Sequence, residues 1–256
     1  MGSDAIYATP RVITDPSECY FYHTVDLPGF GVIPGEWDLR RGIGDYLGGV
    51  DFAGKRVLEI GTSSGFVCFH MERAGAEVVA FDLNDEHTID AVPNRCDRVR
   101  FLATYKQYIR QLNNAYWLSH RAHGSRARVV YGTVYAVPEA IGPVDISTFG
   151  CVLLHLRDPF LALQNALRLT RETAVVTEPL WVTDAFSRYT TPCMEFVPDP
   201  NNTEADVTWW FLSPAIVQKF LAVLGFEDSV VTTSRQIYKG RVMYVFTVVA
   251  QRTQPR

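Results

Sequence analysis

The stretch Val57-Leu58-Glu59-Ile60-Gly61-Thr62-Ser63-Ser64-Gly65-Phe66 constrains this chain more than any other. Val57 to Ile60 is a short run, largely apolar, set between charged Lys55-Arg56 and a group of turn residues. That is the pattern of a buried strand. Glycines and small hydroxyl residues follow. Phe66 to Arg73 then reads as a helix, with Gly75 where a left-handed C-terminal cap belongs. Strand, glycine turn and helix form the first half of a nucleotide-binding βαβ unit. Glycine is needed where the backbone takes φ > 0 or must approach a ligand with no Cβ between them.

A dinucleotide loop has the spacing G-x-G-x-x-G. Counted from Gly61, the second and third positions are Ser63 and Phe66, so that pattern fails twice. The pattern that fits is acidic-x-Gly-x-x-x-Gly at Glu59, Gly61 and Gly65. It resembles motif I of the class I S-adenosylmethionine (SAM) methyltransferases. There the acidic residue ends the first strand below a glycine loop that holds the amino-acid end of the cofactor. The resemblance implies an α/β fold: a Rossmann-like, seven-stranded mixed sheet with helices on both faces and an antiparallel last strand. It implies SAM as cofactor and S-adenosylhomocysteine (SAH) as product.

Glu77 to Phe81 is the second strand, and Asp82 closes it, 21 residues beyond Gly61. A carboxylate there can accept both hydroxyls of an adenosine ribose. Dinucleotide folds use the same device, so Asp82 points to an adenosyl ligand without choosing between the classes. Arg128 to Gly132 is the third strand. Thr133-Val134 then falls where the resembling family reads the adenine edge; many members have Asp there, and this chain offers a hydroxyl and a backbone N–H. The cofactor set implied is Glu59, Gly61, Thr62, Gly65, Asp82, Leu83, Thr133, Val134 and Phe149.

Val144 to Phe149 is the fourth strand, and it leads into Cys151-Val152-Leu153-Leu154-His155-Leu156-Arg157-Asp158-Pro159. This string resembles motif IV of the same family, above all the branch related to bacterial tRNA wobble-uridine carboxymethyltransferases. The segment around His23 and the triplet Glu36-Trp37-Asp38 resemble that branch more weakly. His155 lies past the carboxyl end of the central strand, where reacting groups gather in open α/β sheets. It is a candidate general base, with a structural loop histidine as the alternative. Glu178 follows the fifth strand, Thr173 to Thr177, and is the second candidate base; pairing with an arginine is its alternative. The closing hairpin, expected at Phe226–Thr233 and Arg241–Gln251, fits the family and not the dinucleotide folds.

Three regions carry aromatic residues that no motif decodes. Residues 1–54 are expected as an amino-terminal arm or lid, with a helix from Trp37 to Leu47, ahead of the cofactor-binding domain at 55–251; residues 252–256 form a tail. Residues 179–212 are expected as an aromatic cap. Tyr22, His23, Trp37 and Arg40 from the arm, and Trp181 and Trp209 from the cap, are the candidate substrate-binding residues. Their alternatives are core packing and a homodimer face. Between them, Phe101, Tyr105, Tyr108, Ile109, Leu112 and Tyr116 fall at helical spacing. They predict an amphipathic helix from Arg98 to His120 whose tyrosines read as core.

Composition narrows the partners. No apolar run reaches the ~18–20 residues of a membrane span, and Met1 to Ala5 lacks the basic start of a signal peptide. Both predict a cytoplasmic protein, as do five cysteines without a C-x-x-C spacing. A net charge of −4 gives no general attraction to nucleic acid. The acidic residues near the strand ends make no metal-ligand set. The leading expectation is a SAM-dependent methyltransferase acting on an oxygen or nitrogen of a small molecule. The alternatives are an RNA nucleobase-modifying transferase, with Arg98, Arg100 and Arg110 as phosphate contacts, and a non-catalytic SAM-binding scaffold.

Overall fold

The computed structural model describes residues 3–93, 97–180, 190–202 and 207–254. The amino-terminal segment forms a hairpin, β1 (Val25–Leu27) and β2 (Gly31–Ile33), then a two-residue strand β3 (Trp37–Asp38) and one helical turn α1 (Ile43–Tyr46). The alternating body follows as β4 (Arg56–Ile60), α2 (Phe66–Arg73), β5 (Glu77–Asp82), α3 (Arg98–His123), β6 (Arg128–Tyr131), β7 (Val144–Gly150), α4 (Pro159–Leu167) and β8 (Thr170–Pro179). A small hairpin, β9 (Met194–Phe196) with β10 (Trp210–Leu212), precedes α5 (Pro214–Val223), β11 (Asp228–Tyr238) and β12 (Arg241–Gln251).

The main sheet has the order β3-β11-β12-β8-β7-β4-β5-β6. β4, β5, β6, β7 and β8 run parallel to their neighbours; β12 pairs antiparallel with β8, and β11 with β12. Strand order reverses at β4, which has β5 on one side and β7 on the other, and ligands bind open α/β sheets at such a switch point. Both faces of the sheet are covered. Val57 is buried in one core with Phe66, Met71 and Trp117, while its neighbour Leu58 is buried in the other with Leu163, Val217 and Phe246. A strand covered on both faces reads as a continuous apolar run, which is why β4 and β5 stand out in the sequence.

Local chemistry sets the helix ends. Asp97 caps α3 by accepting the Arg100 N–H at 3.1 Å, and Gly124 closes it in a left-handed conformation at φ 61°. Asp158-Pro159 and Ser213-Pro214 start α4 and α5, each polar side chain accepting a backbone N–H three residues on.

Four expectations change. The sheet has eight strands, the added one being β3 at its edge, where Trp37 and Asp38 pair with Tyr238 and Ile237. The helix expected from Trp37 to Leu47 shrinks to Ile43–Tyr46. The Asp38 carboxylate accepts the Arg40 N–H at 3.2 Å, a local bond that competes with helix formation. Gly42 then packs so close that a Cβ would lie 2.6 Å from the Gln236 side chain. The fifth parallel strand runs on to Pro179, so Glu178 lies inside β8. β11 likewise reaches Tyr238, because it pairs with β12 along its whole length to a two-residue Lys239-Gly240 turn, both at positive φ. Among the described residues no helix is long and apolar enough to cross a membrane.

Candidate active site

The turn after β4 is shaped by backbone conformation. Gly61 and Gly65 sit at φ 80° and 88°, and Ser63 between them is also left-handed at φ 52°. A Cβ on Gly61 would lie 2.5 Å from Val152; one on Gly65 would lie 2.4 Å from the Phe69 ring. Asp82, at the end of β5, fixes this turn. Its two carboxylate oxygens accept the backbone N–H of Ser63 at 2.6 Å and of Leu83 at 2.7 Å. Burial pushes the Asp82 carboxyl up to about 6 against these hydrogen bonds. The amino-terminal arm closes over the turn: the His23 N–H donates to the Ser64 hydroxyl at 3.2 Å, and the His23 ring lies 5.9 Å from that of Phe66. Burial drives the His23 imidazole down to about 4, so it is neutral at physiological pH.

Polar atoms here are buried without partners. Ser63 Oγ and Thr148 Oγ1 have no hydrogen bond. Buried polar groups are almost always satisfied, so such a group of orphans fits a site built for a polar ligand. Burial pushes the Glu59 carboxyl up to about 8 against a hydrogen bond from Thr62, with the nearby Asp82 charge adding to the rise.

A cavity of about 690 Å³ opens at the carboxyl ends of β4, β5 and β7. Gly61, Asp82, Leu83, Thr133 and Val134 line one part of it, and Tyr22, His23, Trp37 and His155 another. Glu59 and Phe149 border instead a void of about 20 Å³ beneath the turn, which Gly61 and His23 also touch. Thr62 and Gly65 lie in the turn and line neither space. The His155 ring stands 3.1 Å from the Val207 carbonyl through Nδ1, in a single 3₁₀ turn, Leu153–His155.

Other candidates fall outside the cavity. Arg40 is exposed and paired with Asp38 at 2.7 Å. Trp209 is buried behind the wall, its indole N–H donating to the Asp90 carbonyl at 2.6 Å. Glu178 is buried beneath it and accepts the Leu153 N–H at 2.7 Å, so it holds the turn that carries His155. Burial pushes its carboxyl up to about 8. Trp181 lies outside the described residues.

Several lining residues escaped the sequence reading. Ser63, counted there as a lost glycine, supplies the N–H that Asp82 accepts. Tyr105 and Tyr108, read as core, face the cavity with Phe101 and Thr104, and that shared helical face was the available signal. Tyr46, Cys151, Glu36 and Tyr238 also line it; Cys151 and Glu36 lie in the strings that carry the family resemblance, while the segments of Tyr46 and Tyr238 carry no motif. Tyr46 is fixed there because the Thr177 and Thr247 hydroxyls both donate to its carbonyl, at 2.7 and 3.0 Å.

No family model and no curated protein matches this chain. Solved structures do. A SAM-dependent methyltransferase of Methanosarcina mazei aligns with a TM-score of 0.54 at 14% identity, over 85% of this chain and 100% of that one. The amino-terminal domain of EvdMO1, crystallised in the presence of SAH and D-fucose, aligns at 0.51 and 17% identity over 90% of each. A 1,6-didemethyltoxoflavin-N1-methyltransferase of Burkholderia thailandensis, with that compound and SAH bound, aligns at 0.50 and 16% over 84% of this chain and 78% of that one. These likenesses establish a Rossmann-like fold shared with SAM-dependent methyltransferases.

Proposed function

We propose that the chain is a SAM-dependent methyltransferase that methylates an oxygen or nitrogen of a small molecule. The observation that carries this reading is the Asp82-fixed turn, Gly61 to Gly65, opening into a cavity large enough for a cofactor and a second molecule. Asp82 and Leu83 would hold the adenosine ribose, and Thr133 and Val134 the adenine edge. The Gly61–Gly65 turn would take the amino-acid end, with Ser63, whose hydroxyl has no partner, lining the cavity, Thr62 within the turn and Glu59 buried below it. When bound, SAM supplies a methyl carbon already activated by positive sulfur. The chain's own contribution is positioning and exclusion of water. Tyr22, His23 and Trp37, with the arm behind them, would screen the site from solvent.

His155 is the base we assign. A hydrogen bond from Nδ1–H to the Val207 carbonyl makes Nε2 the basic nitrogen of the neutral ring. Glu178 acts through this residue by holding the Val152–Leu154 backbone, and does not meet the substrate. The RNA-modifying reading has less support. Arg110 is paired with Asp85 at 2.7 Å, and neither it nor Arg98 nor Arg100 lines the cavity. Four described cysteines are free, which suits the reducing cytoplasm.

The test is SAH release from SAM across a panel of phenols, amines and heteroaromatic compounds. Acceptor-dependent SAH formation is expected. His155→Ala should lower that rate about 10²–10⁴-fold. SAH binding with no turnover on any acceptor would favour the scaffold reading instead.

A further inference from the structure

Away from the glycine turn the cavity changes character. Its wall there is a set of rings: Tyr22, Trp37 and Tyr238 from the arm and β11, and Phe101, Tyr105 and Tyr108 from α3. The rings are packed against one another, Trp37 with Tyr238 at 4.7 Å between centroids and Tyr105 with Tyr108 at 5.6 Å. The Trp37 indole N–H is already used, donating to the Tyr22 hydroxyl at 3.1 Å. What the walls offer is therefore mainly π faces, which suit a flat ligand.

Charge completes the description. The cavity is lined by the carboxylates Glu36, Asp82 and Asp90 and by no lysine or arginine among the described residues. Asp82 belongs to the glycine turn. Asp90 is engaged, accepting the Arg157 N–H at 2.8 Å and the Tyr135 hydroxyl. Glu36 lies among the rings. It accepts the Tyr20 hydroxyl and stands 3.1 Å from the Lys239 ammonium, which lies outside the cavity. His23 is neutral, and burial holds the Tyr105 phenol up at about 12, so neither adds charge at neutral pH.

We infer that the acceptor is a neutral or cationic aromatic molecule that stacks on these rings and gives its hydrogen-bond donor or positive charge to Glu36, and that anionic acceptors bind more weakly. A cation gains from the ring faces and from the carboxylates together. A phosphate or carboxylate on the ligand would meet carboxylates and no cation among the described lining residues, and the nearby Lys239 ammonium is already paired with Glu36. The inference names the acceptor class for the methyltransferase reading and rests on that reading.

The experiment uses three indoles of one shape and different charge: tryptamine, tryptophol and indole-3-propionate. Binding of each to the full chain is measured by ligand-observed NMR at pH 7.5, with and without saturating SAH, and SAH is also titrated alone. Tryptamine should bind at least about tenfold tighter than indole-3-propionate, with tryptophol between them. Glu36→Gln should narrow that ratio, while Trp37→Leu should weaken all three probes and keep their order. Propionate binding as tightly as tryptamine, or no binding of any probe, overturns the inference. If SAH binds and the order is flat, only the acceptor class fails. If SAH does not bind and the order holds, the cofactor reading fails and the charge preference of the cavity stands.

Discussion

The two ends of the cavity are built by different means. The cofactor end is made of backbone: left-handed residues at Gly61, Ser63 and Gly65, and two N–H groups held by Asp82. This turn and its carboxylate come from one βαβ unit, so their parts keep fixed spacing along the chain. The aromatic end is made of side chains from the arm, from α3 and from β11, brought together only by the fold. Backbone geometry tolerates few residue types, whereas a ring wall tolerates many. On the proposed reading, the first end would determine which cofactor class fits, and the second what is modified.

This contrast can be tested by perturbing the cofactor end in decreasing steps. Gly61→Val should abolish SAH binding in calorimetry while circular dichroism stays native-like. A β-branched residue is strained at φ 80°, and its Cβ would press on Val152. Asp82→Ala should weaken SAH by about 1–3 kcal/mol, roughly 5- to 150-fold, because it strands the ribose hydroxyls and frees the Ser63 N–H. Retained affinity in either variant would detach the glycine turn from the ligand.

Acidity should act more gently on the same group. Asp82 is raised to about 6 from its ordinary 3.8, and only the ionised form accepts both hydroxyls. Lowering the pH through about 6 should therefore weaken SAH binding, by up to about tenfold per unit. The ligand-free protein should move the other way. A raised carboxyl binds its proton more tightly in the folded state, so this group's stabilising effect is present at low pH and lost as pH rises from about 4 to 6. A binding curve flat between pH 5 and 7 would remove Asp82 from the site.

Glu178→Ala should leave the smallest mark on affinity. It unties the Leu153 N–H and should cost about 1–3 kcal/mol of stability. That corresponds to a Tm lower by several degrees in calorimetric scans, with a smaller loss of SAH affinity than Asp82→Ala. An affinity loss matching that of Asp82→Ala would place Glu178 in the cofactor site.

The same contrast explains what could be read from the sequence. β4, α2 and β5 were legible because burial on both faces and positive φ leave clear marks: apolar runs and glycines at set intervals. α3 was legible as a helix, but not as a wall. Tyr105 and Tyr108 look the same at helical spacing whether they face a core or a cavity. The helix expected at Trp37 failed because an edge pairing with β11, some two hundred residues away, overrode local preference. Glu178 was placed past the end of its strand because β8 gains its last residues by pairing with β12. Trp209 was an aromatic in the right region whose indole turned to the Asp90 carbonyl. Contacts of that range have no local signature.

The central claim is that the Gly61–Gly65 turn and Asp82 hold an adenosyl amino acid and not a dinucleotide. Calorimetric titration of the full chain at pH 7.5 with SAH, and separately with NAD, tests it most directly. One-to-one binding of SAH with no heat from NAD is the expected result; binding of NAD without SAH would contradict the claim.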